Sequence, residues 1–134
     1  MKIFVYGTLK PGEVNYQRYC QGKVIDASPA FTFGQLFALP VGYPALTQGP
    51  GHVYGVVLTF ADDRILADLD QLEDYDPDRP ISDNEYQREL REVFRLDGPS
   101  LGQVWTYFMT PEKVQSLGGI LLTEGFWGNR PSEI

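Results

Sequence analysis

The clearest hydrophobic pattern of the chain lies in residues 61–75. Four apolar side chains recur there at helical spacing: Ile65, Leu66, Leu69 and Leu72. At roughly 100° per residue they fall within an arc of about 120°, which predicts an amphipathic helix over residues 62–74 with one face on a core. Glu73 follows Leu69 by four residues, so its side chain projects into the same apolar arc.

A carboxylate aimed at a core costs free energy unless it is paired, hydrogen-bonded, protonated or placed in a cavity. In a cavity, Glu73 is a candidate acid/base with a raised pKa. The alternative is that Glu73 ends the helix, frays outward or pairs with an arginine. The other acids of the stretch are expected to project elsewhere and stay in water: Asp63, Asp68, Asp70 and Asp74.

Strand patterns dominate the rest of the chain. Runs of β-branched and aromatic residues bounded by turns predict these strands: 2–6, 23–27, 30–39, 52–60, 85–96 and 101–109. Ser28-Pro29 and residues 47–51 are predicted breaks between strands. Short helices are expected at residues 13–21 and after Thr110-Pro111, which suit an N-cap and a first helical position.

Strands that do not alternate regularly with helices favour an α+β fold, in which a mixed sheet or barrel packs on the helix of residues 62–74. The length suits one domain over residues 1–134. The tail, from about residue 119 to 134, is expected to fold back over the body or a pocket rim.

A glycine-rich loop follows the first predicted strand, at Gly7-Thr-Leu-Lys-Pro-Gly12. Glycine lets a backbone approach a ligand closely, and successive free N–H groups can form an anion-binding nest. The loop lacks the spacing of a phosphate-binding P-loop, which argues against a nucleotide. An ordinary connection between a strand and a helix is the alternative.

Charge and composition narrow the possible ligands. The net charge of −7 argues against nucleic acid, and thirteen of the eighteen acids lie between Asp62 and Asp97. An anionic ligand would therefore need locally placed donors. No apolar run suggests a membrane span and no signal peptide is recognisable, so a soluble, cytoplasmic protein is expected. Cys20 and His52 are the only residues of their types, and we expect structural roles for both and no metal site.

Five short motifs occur in one order: Tyr6-Gly-Thr-Leu-Lys-Pro-Gly12, Gly42-Tyr-Pro-Ala-Leu46, Val53-Tyr-Gly-Val56, Leu69-Asp-Gln-Leu-Glu-Asp-Tyr75 and Tyr86-Gln-Arg88. This series, which spans residues 2 to about 108, resembles the gamma-glutamylcyclotransferase-like superfamily. The likeness is to its branch of gamma-glutamylamine cyclotransferases and plant avirulence-induced-gene-like proteins. The resemblance implies a small mixed β-barrel with packed helices.

The resemblance also implies roles for individual residues. The loop of Tyr6, Gly7, Thr8 and Leu9 matches the substrate-anchoring loop of the family, whose backbone amides hold the polar head of a γ-glutamyl group. Glu73 matches the single acid/base carboxylate of the family. Further substrate-binding positions implied by the match are Tyr43, Tyr86, Arg88 and Tyr107. Asp74 replaces the glycine that usually follows this glutamate, and a second acid there is expected to alter the titration of Glu73.

The implied reaction is a cyclisation without metal or organic cofactor. Glu73 would take a proton from the α-ammonium group of a small γ-glutamyl substrate, whose amine then attacks its own γ-carbonyl and releases 5-oxoproline. A non-catalytic small-molecule binding protein on the same scaffold is the main alternative. Removal of a γ-glutamyl group by hydrolysis is a second alternative. An interaction protein, suggested by the acidic surface and Phe126-Trp127, is a third.

Overall fold

The computed structural model describes residues 1–128, which form six strands and two short α-helices. In chain order the elements are β1 (Lys2–Val5), β2 (Val24–Ala38), β3 (Pro44–Phe60), α1 (Ile65–Leu72), β4 (Gln87–Arg95), β5 (Ser100–Phe108), α2 (Pro111–Ser116) and β6 (Ile120–Leu121). A π-helical turn at Tyr16–Cys20 and a 3-10 turn at Ile81–Asp83 lie in the connections.

Five of the strands close into a barrel. They neighbour one another in the order β3-β1-β5-β4-β2, and a further pairing of β2 with β3 completes the circle. β1 runs parallel to β5, where Ile3 lies opposite Trp105, and the other pairings are antiparallel. β6 adds two residues beside the end of β2. The predicted mixed β-barrel is therefore confirmed.

β1 lies at the centre of the core, and both of its faces are buried. Phe4 points into a cluster with Leu36 and Val53 from the two long strands. Its neighbour Ile3 belongs to a second cluster, in which Leu69 of α1 is fully buried. Alternate residues of a strand face opposite sides, so the first cluster fills one face of β1 and the second lies beneath α1.

α1 is amphipathic, as predicted, but it is shorter than the expected residues 62–74, because it begins at Ile65 and ends at Leu72. Two expected strand breaks were also wrong. Pro29 lies within β2 opposite Val56, and residues 47–51 remain part of β3. The pairing jumps from Phe33–His52 to Gln35–Thr47, so the turn-forming residues are accommodated as a bulge.

The tail lies on the barrel as far as Gly128. The Tyr54 N–H donates to the Gly125 carbonyl over 2.9 Å, and the Phe126 ring stacks on Tyr54 with centroids 4.7 Å apart. The Trp127 carbonyl accepts a hydrogen bond from the Lys10 ammonium. The rest of the expected tail, residues 129–134, lies outside the described residues. No helix within residues 1–128 is long and apolar enough to cross a membrane.

Candidate active site

A cavity of about 110 Å³ opens between the loop after β1 and the end of α1. All the site residues predicted from the sequence line it except Arg88. The lining residues of the described chain are Phe4, Val5, Tyr6, Gly7, Thr8, Leu9, Asn15, Tyr43, Pro44, Leu72, Glu73, Glu85, Tyr86 and Tyr107. The fold therefore brings together the first loop and the predicted acid/base residue.

Glu73 is the cap residue at the end of α1, and the next two residues fix the backbone there. The Asp74 N–H donates to the Gln71 carbonyl over 3.3 Å, and the Tyr75 N–H donates to the Asp70 carbonyl over 2.9 Å. These two bonds form a Schellman motif, which requires a left-handed residue after the cap. Asp74 supplies it with a φ of 55°. Asp74 thus takes a backbone position for which glycine is usual.

Glu73 is partly buried and lines the cavity. Burial, and secondly the negative charge of Glu85, raises the pKa of Glu73 to about 8. Within residues 1–128 no donor is hydrogen-bonded to this carboxyl group. Glu73 is therefore mostly protonated at pH 7 and half-ionised near pH 8, and its carboxyl group is open to a ligand, as an acid/base group requires.

The negative charge that raises the pKa of Glu73 is that of Glu85. The sequence had led us to expect Asp74 in this role, and that expectation is corrected. The Asp74 carboxylate lies about half exposed and pairs with Arg79 over 3.0 Å. Glu85 lines the cavity and accepts a hydrogen bond from the Tyr43 hydroxyl. Sequence reasoning missed Glu85, whose one available signal was its place directly before the Tyr86-Gln-Arg88 motif.

Two buried tyrosines hold the cavity wall with their hydroxyl groups. The Tyr6 hydroxyl donates to the Tyr107 carbonyl over 2.8 Å and accepts from the Leu46 N–H over 3.2 Å. The Tyr86 hydroxyl donates to the Pro44 carbonyl over 2.6 Å. Burial raises the pKa of both phenols above its ordinary value, so both stay neutral. Their hydroxyl groups connect strands that are far apart in sequence.

Arg88 lies outside the cavity wall and pairs with Asp70. Its Nε donates to Asp70 Oδ1 over 2.7 Å and its second nitrogen to Oδ2 over 3.1 Å. Tyr107 donates its hydroxyl to the same carboxylate over 2.6 Å, and the guanidinium lies 4.4 Å above the Trp105 ring. Asp70 is therefore a buried pairing partner and not the solvated acid expected from the sequence.

The loop after β1 leaves backbone donors available. Within residues 1–128 the amides of Gly7, Thr8 and Leu9 donate no hydrogen bond to the protein. The Thr8 side-chain oxygen accepts from Asn15 over 2.8 Å, which fixes the loop to the segment that follows it. Asn15 lines the cavity and is a second residue that sequence reasoning missed.

Neither Cys20 nor His52 belongs to the cavity. Cys20 is fully buried, and burial raises the pKa of its thiol to about 11. The His52 ring stacks on Phe31 at 4.4 Å between centroids. In the described part of the chain, no cluster of three or more histidine, cysteine, aspartate or glutamate residues could hold a metal ion.

Comparisons with known proteins agree with this architecture. The family model described as "Gamma-glutamyl cyclotransferase, AIG2-like" matches residues 3–129. A Vibrio cholerae protein named "Putative gamma-glutamylcyclotransferase" is 30% identical over 132 residues, covering 96% of each chain.

Solved structures show the same fold. An AIG2-like protein from Mus musculus has a TM-score of 0.66 and 27% identity, covering 97% of this chain and 90% of that one. YkqA from Bacillus subtilis has a TM-score of 0.66 and 26% identity, covering 94% of this chain but 39% of that one. The chain belongs to the gamma-glutamyl cyclotransferase, AIG2-like family and is an enzyme of the cyclotransferase type.

Proposed function

We propose that the protein releases 5-oxoproline from a γ-glutamyl amine or γ-glutamyl peptide, with Glu73 as general base and then general acid. The observation that carries this proposal is the Glu73 carboxyl group, which lies in the cavity without a hydrogen-bond donor from residues 1–128 and has its pKa raised to about 8. A base is most effective when its pKa lies near the working pH.

The reaction moves two protons from the α-nitrogen to the leaving nitrogen. The Glu73 carboxylate takes the first proton from the substrate α-ammonium group, and the freed amine attacks the γ-carbonyl carbon to form the new C–N bond. Glu73 returns this proton to the leaving nitrogen as the old C–N bond of the tetrahedral intermediate breaks. The ring nitrogen then gives up its second proton through Glu73 to the released amine, which leaves the neutral lactam and an ammonium product, so atoms and charges balance without a further reactant. General acid–base help of this kind contributes roughly 10²–10⁴-fold in rate.

The loop after β1 supports the anchoring part of this proposal. The free amides of Gly7, Thr8 and Leu9 suit the substrate carboxylate or the oxyanion that develops on the γ-oxygen. Holding the glutamyl chain bent for internal attack can supply about 7–11 kcal/mol of the barrier reduction. We therefore assign the larger share of the rate to positioning and the smaller to Glu73.

The test is 5-oxoproline release from γ-glutamyl amines, γ-glutamyl amino acids and glutathione, with Glu73→Gln measured beside the wild type. The matched control is Asp74→Asn, because asparagine tolerates the left-handed backbone and the Asp74 side chain points away from the cavity. We expect Glu73→Gln to lose at least about 10²-fold in rate and Asp74→Asn to keep most of it.

Release of glutamate in place of 5-oxoproline would assign hydrolysis to the site. Tight binding of the same compounds without turnover would make the protein a binding protein. Near-wild-type rates in a folded Glu73→Gln variant would remove Glu73 from the mechanism.

A further inference from the structure

Lys10 is a buried lysine that the cyclisation does not use. Its side chain is 6% exposed, and burial lowers its pKa, while the negative charge of Glu13 acts in the opposite direction. Lys10 does not line the cavity, so its ammonium group does not touch a substrate there. Taking an ammonium group out of water costs free energy unless it finds partners. The partners of Lys10 therefore show what the residue does.

The backbone of Lys10 closes the loop after β1. Its N–H donates to the Gly7 carbonyl over 3.0 Å, and its carbonyl accepts from the Glu13 N–H over 2.9 Å. The free amides proposed to anchor the substrate, those of Gly7, Thr8 and Leu9, come directly before Lys10 in the chain. A shift of Lys10 would therefore shift the amides that hold the substrate.

The Lys10 side chain leaves this loop and reaches the C-terminal strap, which we define as residues 122–128. Its ammonium group donates to the Trp127 carbonyl. Gly128 lies close by, because a Cβ atom there would be 2.7 Å from Glu13 Oε2 and 3.9 Å from Lys10 Nζ. The loop and the strap thus meet at one ammonium group and one carboxylate.

The strap is itself fixed to the two long strands. The Leu122 N–H donates to the Leu36 carbonyl of β2 over 2.8 Å, and the Tyr54 N–H of β3 donates to the Gly125 carbonyl over 2.9 Å. The Trp127 side chain packs against the first of the two core clusters. The carbonyl of this residue therefore offers the loop a fixed point on the barrel.

We propose that Lys10 is a positioning residue that ties the loop after β1 to the C-terminal strap, so that the strap sets where the substrate-anchoring amides lie. The effect on the rate rests on the proposed function, whereas the link between loop and strap does not. Buried charges often add little stability over an apolar replacement, and a defined geometry is what this one supplies. The link is reciprocal: a change in the strap disturbs the loop, and a change in the loop loosens the strap.

Gly128→Ala tests the link from the side of the strap. The added Cβ atom collides with Glu13 Oε2, and the sequence of the loop stays unchanged. We expect hydrogen exchange at the Asn15 N–H, which donates to the Thr8 carbonyl over 2.9 Å, to become about tenfold faster. kcat/KM for 5-oxoproline release should fall by about tenfold for every leaving group, since the loop holds the glutamyl part that all substrates share.

The matched control is Gly118→Ala. Gly118 has a φ of 78°, against 79° at Gly128, so alanine meets the same backbone strain at both positions. The nearest atom to a Cβ at Gly118 is Pro40 Cγ at 3.6 Å, which is an ordinary contact. We expect this variant to keep both measured rates within about twofold of the wild type. If it changed them as much as Gly128→Ala does, backbone strain would be the cause and the link would be disproved.

Lys10→Met tests the link from the side of the loop and keeps an apolar chain of similar length. Exchange at the Tyr54 and Leu122 N–H groups, whose hydrogen bonds hold the strap, should become about tenfold faster while the amides of β1 keep their rates. An equal increase in β1 would show that Lys10 only stabilises the fold. Unchanged exchange at the strap would show that no link exists.

Failure of this inference is distinguishable from failure of the proposed function. If Gly128→Ala exchanges faster at Asn15 but keeps its kcat/KM, the positioning role is wrong and the cyclisation stands. If the wild type releases no 5-oxoproline from any γ-glutamyl compound, the proposed function fails. Calorimetric Kd values for the same compounds then replace kcat/KM: about tenfold weaker binding in Gly128→Ala supports the positioning role, and unchanged binding rejects it.

Discussion

Arg79 donates to Asp74 twice, to its carbonyl oxygen over 2.9 Å and to its carboxylate over 3.0 Å. Asp74 has a left-handed backbone, which costs a side-chain-bearing residue roughly 1–2 kcal/mol. Its side chain and carbonyl recover part of this cost through Arg79. The end of α1, and with it the position of Glu73, therefore depends on a contact between two residues outside the cavity.

Replacing Asp74 separates the backbone effect from the side-chain effect. Asp74→Ala keeps the unfavourable φ and loses the carboxylate contact with Arg79, so we expect the free energy of unfolding to fall by about 1–2 kcal/mol. Asp74→Gly loses the same contact but removes the backbone strain, and we expect a change within about 0.5 kcal/mol. Urea denaturation measures both. Equal losses in the two variants would show that the φ of Asp74 carries no cost.

The stability of the protein should depend on the ionisation of Glu73. The folded-state pKa is about 8, against 4.5 for the exposed group, so the folded state binds more protons between these values. Stability therefore falls as pH rises from about 4.5 to 8. Glu73→Gln has no such proton, and we expect it to be more stable than the wild type at pH 8 by up to about 4 kcal/mol.

Denaturation of the wild type and Glu73→Gln across this pH range checks the prediction. The difference between them should shrink steadily below pH 8 and become small near pH 4.5. A constant difference would mean that Glu73 is not the titrating group.

The rate of 5-oxoproline release should follow the same ionisation. Because the base must be unprotonated, kcat/KM should rise with pH up to about the pKa of Glu73, close to 8. Glu85→Gln removes the like charge and should shift the rise of kcat/KM to lower pH, whereas Asp83→Asn should not shift it. The pH–rate profiles of the wild type and of these two variants test the prediction. An unshifted rise in Glu85→Gln would show that the charge of Glu85 does not raise the pKa of Glu73.

Gly7 is required for the close contact between the first loop and Pro44. A Cβ atom at Gly7 would lie 2.8 Å from Pro44 Cγ and 2.9 Å from Cδ, so alanine must displace one of them. We expect Gly7→Ala to lower kcat/KM by at least about tenfold, since small displacements in positioning cost large factors in rate.

The double variant Gly7→Ala/Pro44→Ala removes the clash and should recover much of the loss. Measuring kcat/KM for the wild type, the two single variants and the double variant completes a double-mutant cycle. If the effects of the two single changes on kcat/KM simply add in the double variant, the contact between these residues does not set the loop position.

The Arg88–Asp70 pair should contribute to stability. Both side chains are largely buried, at 15% and 19% exposed, and removing one partner leaves an unpaired charge. We expect Arg88→Met to lower the free energy of unfolding by about 3–5 kcal/mol and the added change Asp70→Asn to restore a large part of it. A stable Arg88→Met protein with a raised KM would instead favour the substrate-binding role implied by the family resemblance.

The sequence was most informative where structure is decided locally. The apolar spacing around Leu69 identified α1 and directed attention to Glu73, because helical periodicity is a short-range property. The strand patterns identified most of the barrel for the same reason. Thr110 caps α2 as expected, accepting from the Lys113 N–H over 3.2 Å.

The features that we did not predict from the sequence depend on contacts between residues that are distant in the chain. Glu85 joins the cavity through Tyr43, which lies 42 positions earlier, and no local pattern links the two. Asp70 looked solvated because its partner Arg88 is 18 positions away. The bulge of β3 kept a glycine-rich turn inside a strand because pairing with β2 resumes beyond it. Tertiary pairing overrides local turn propensity in such cases.

The parallel pairing of β1 with β5 has a consequence for how the protein is made. Ile3 can pair with Trp105, and the Tyr6 hydroxyl can donate to the Tyr107 carbonyl, only after about a hundred further residues have been synthesised. Closing so large a loop is entropically costly, and folds rich in such contacts assemble slowly. A nascent chain on the ribosome therefore carries Glu73 without its cavity until β5 emerges, and the enzyme acquires its site late in translation.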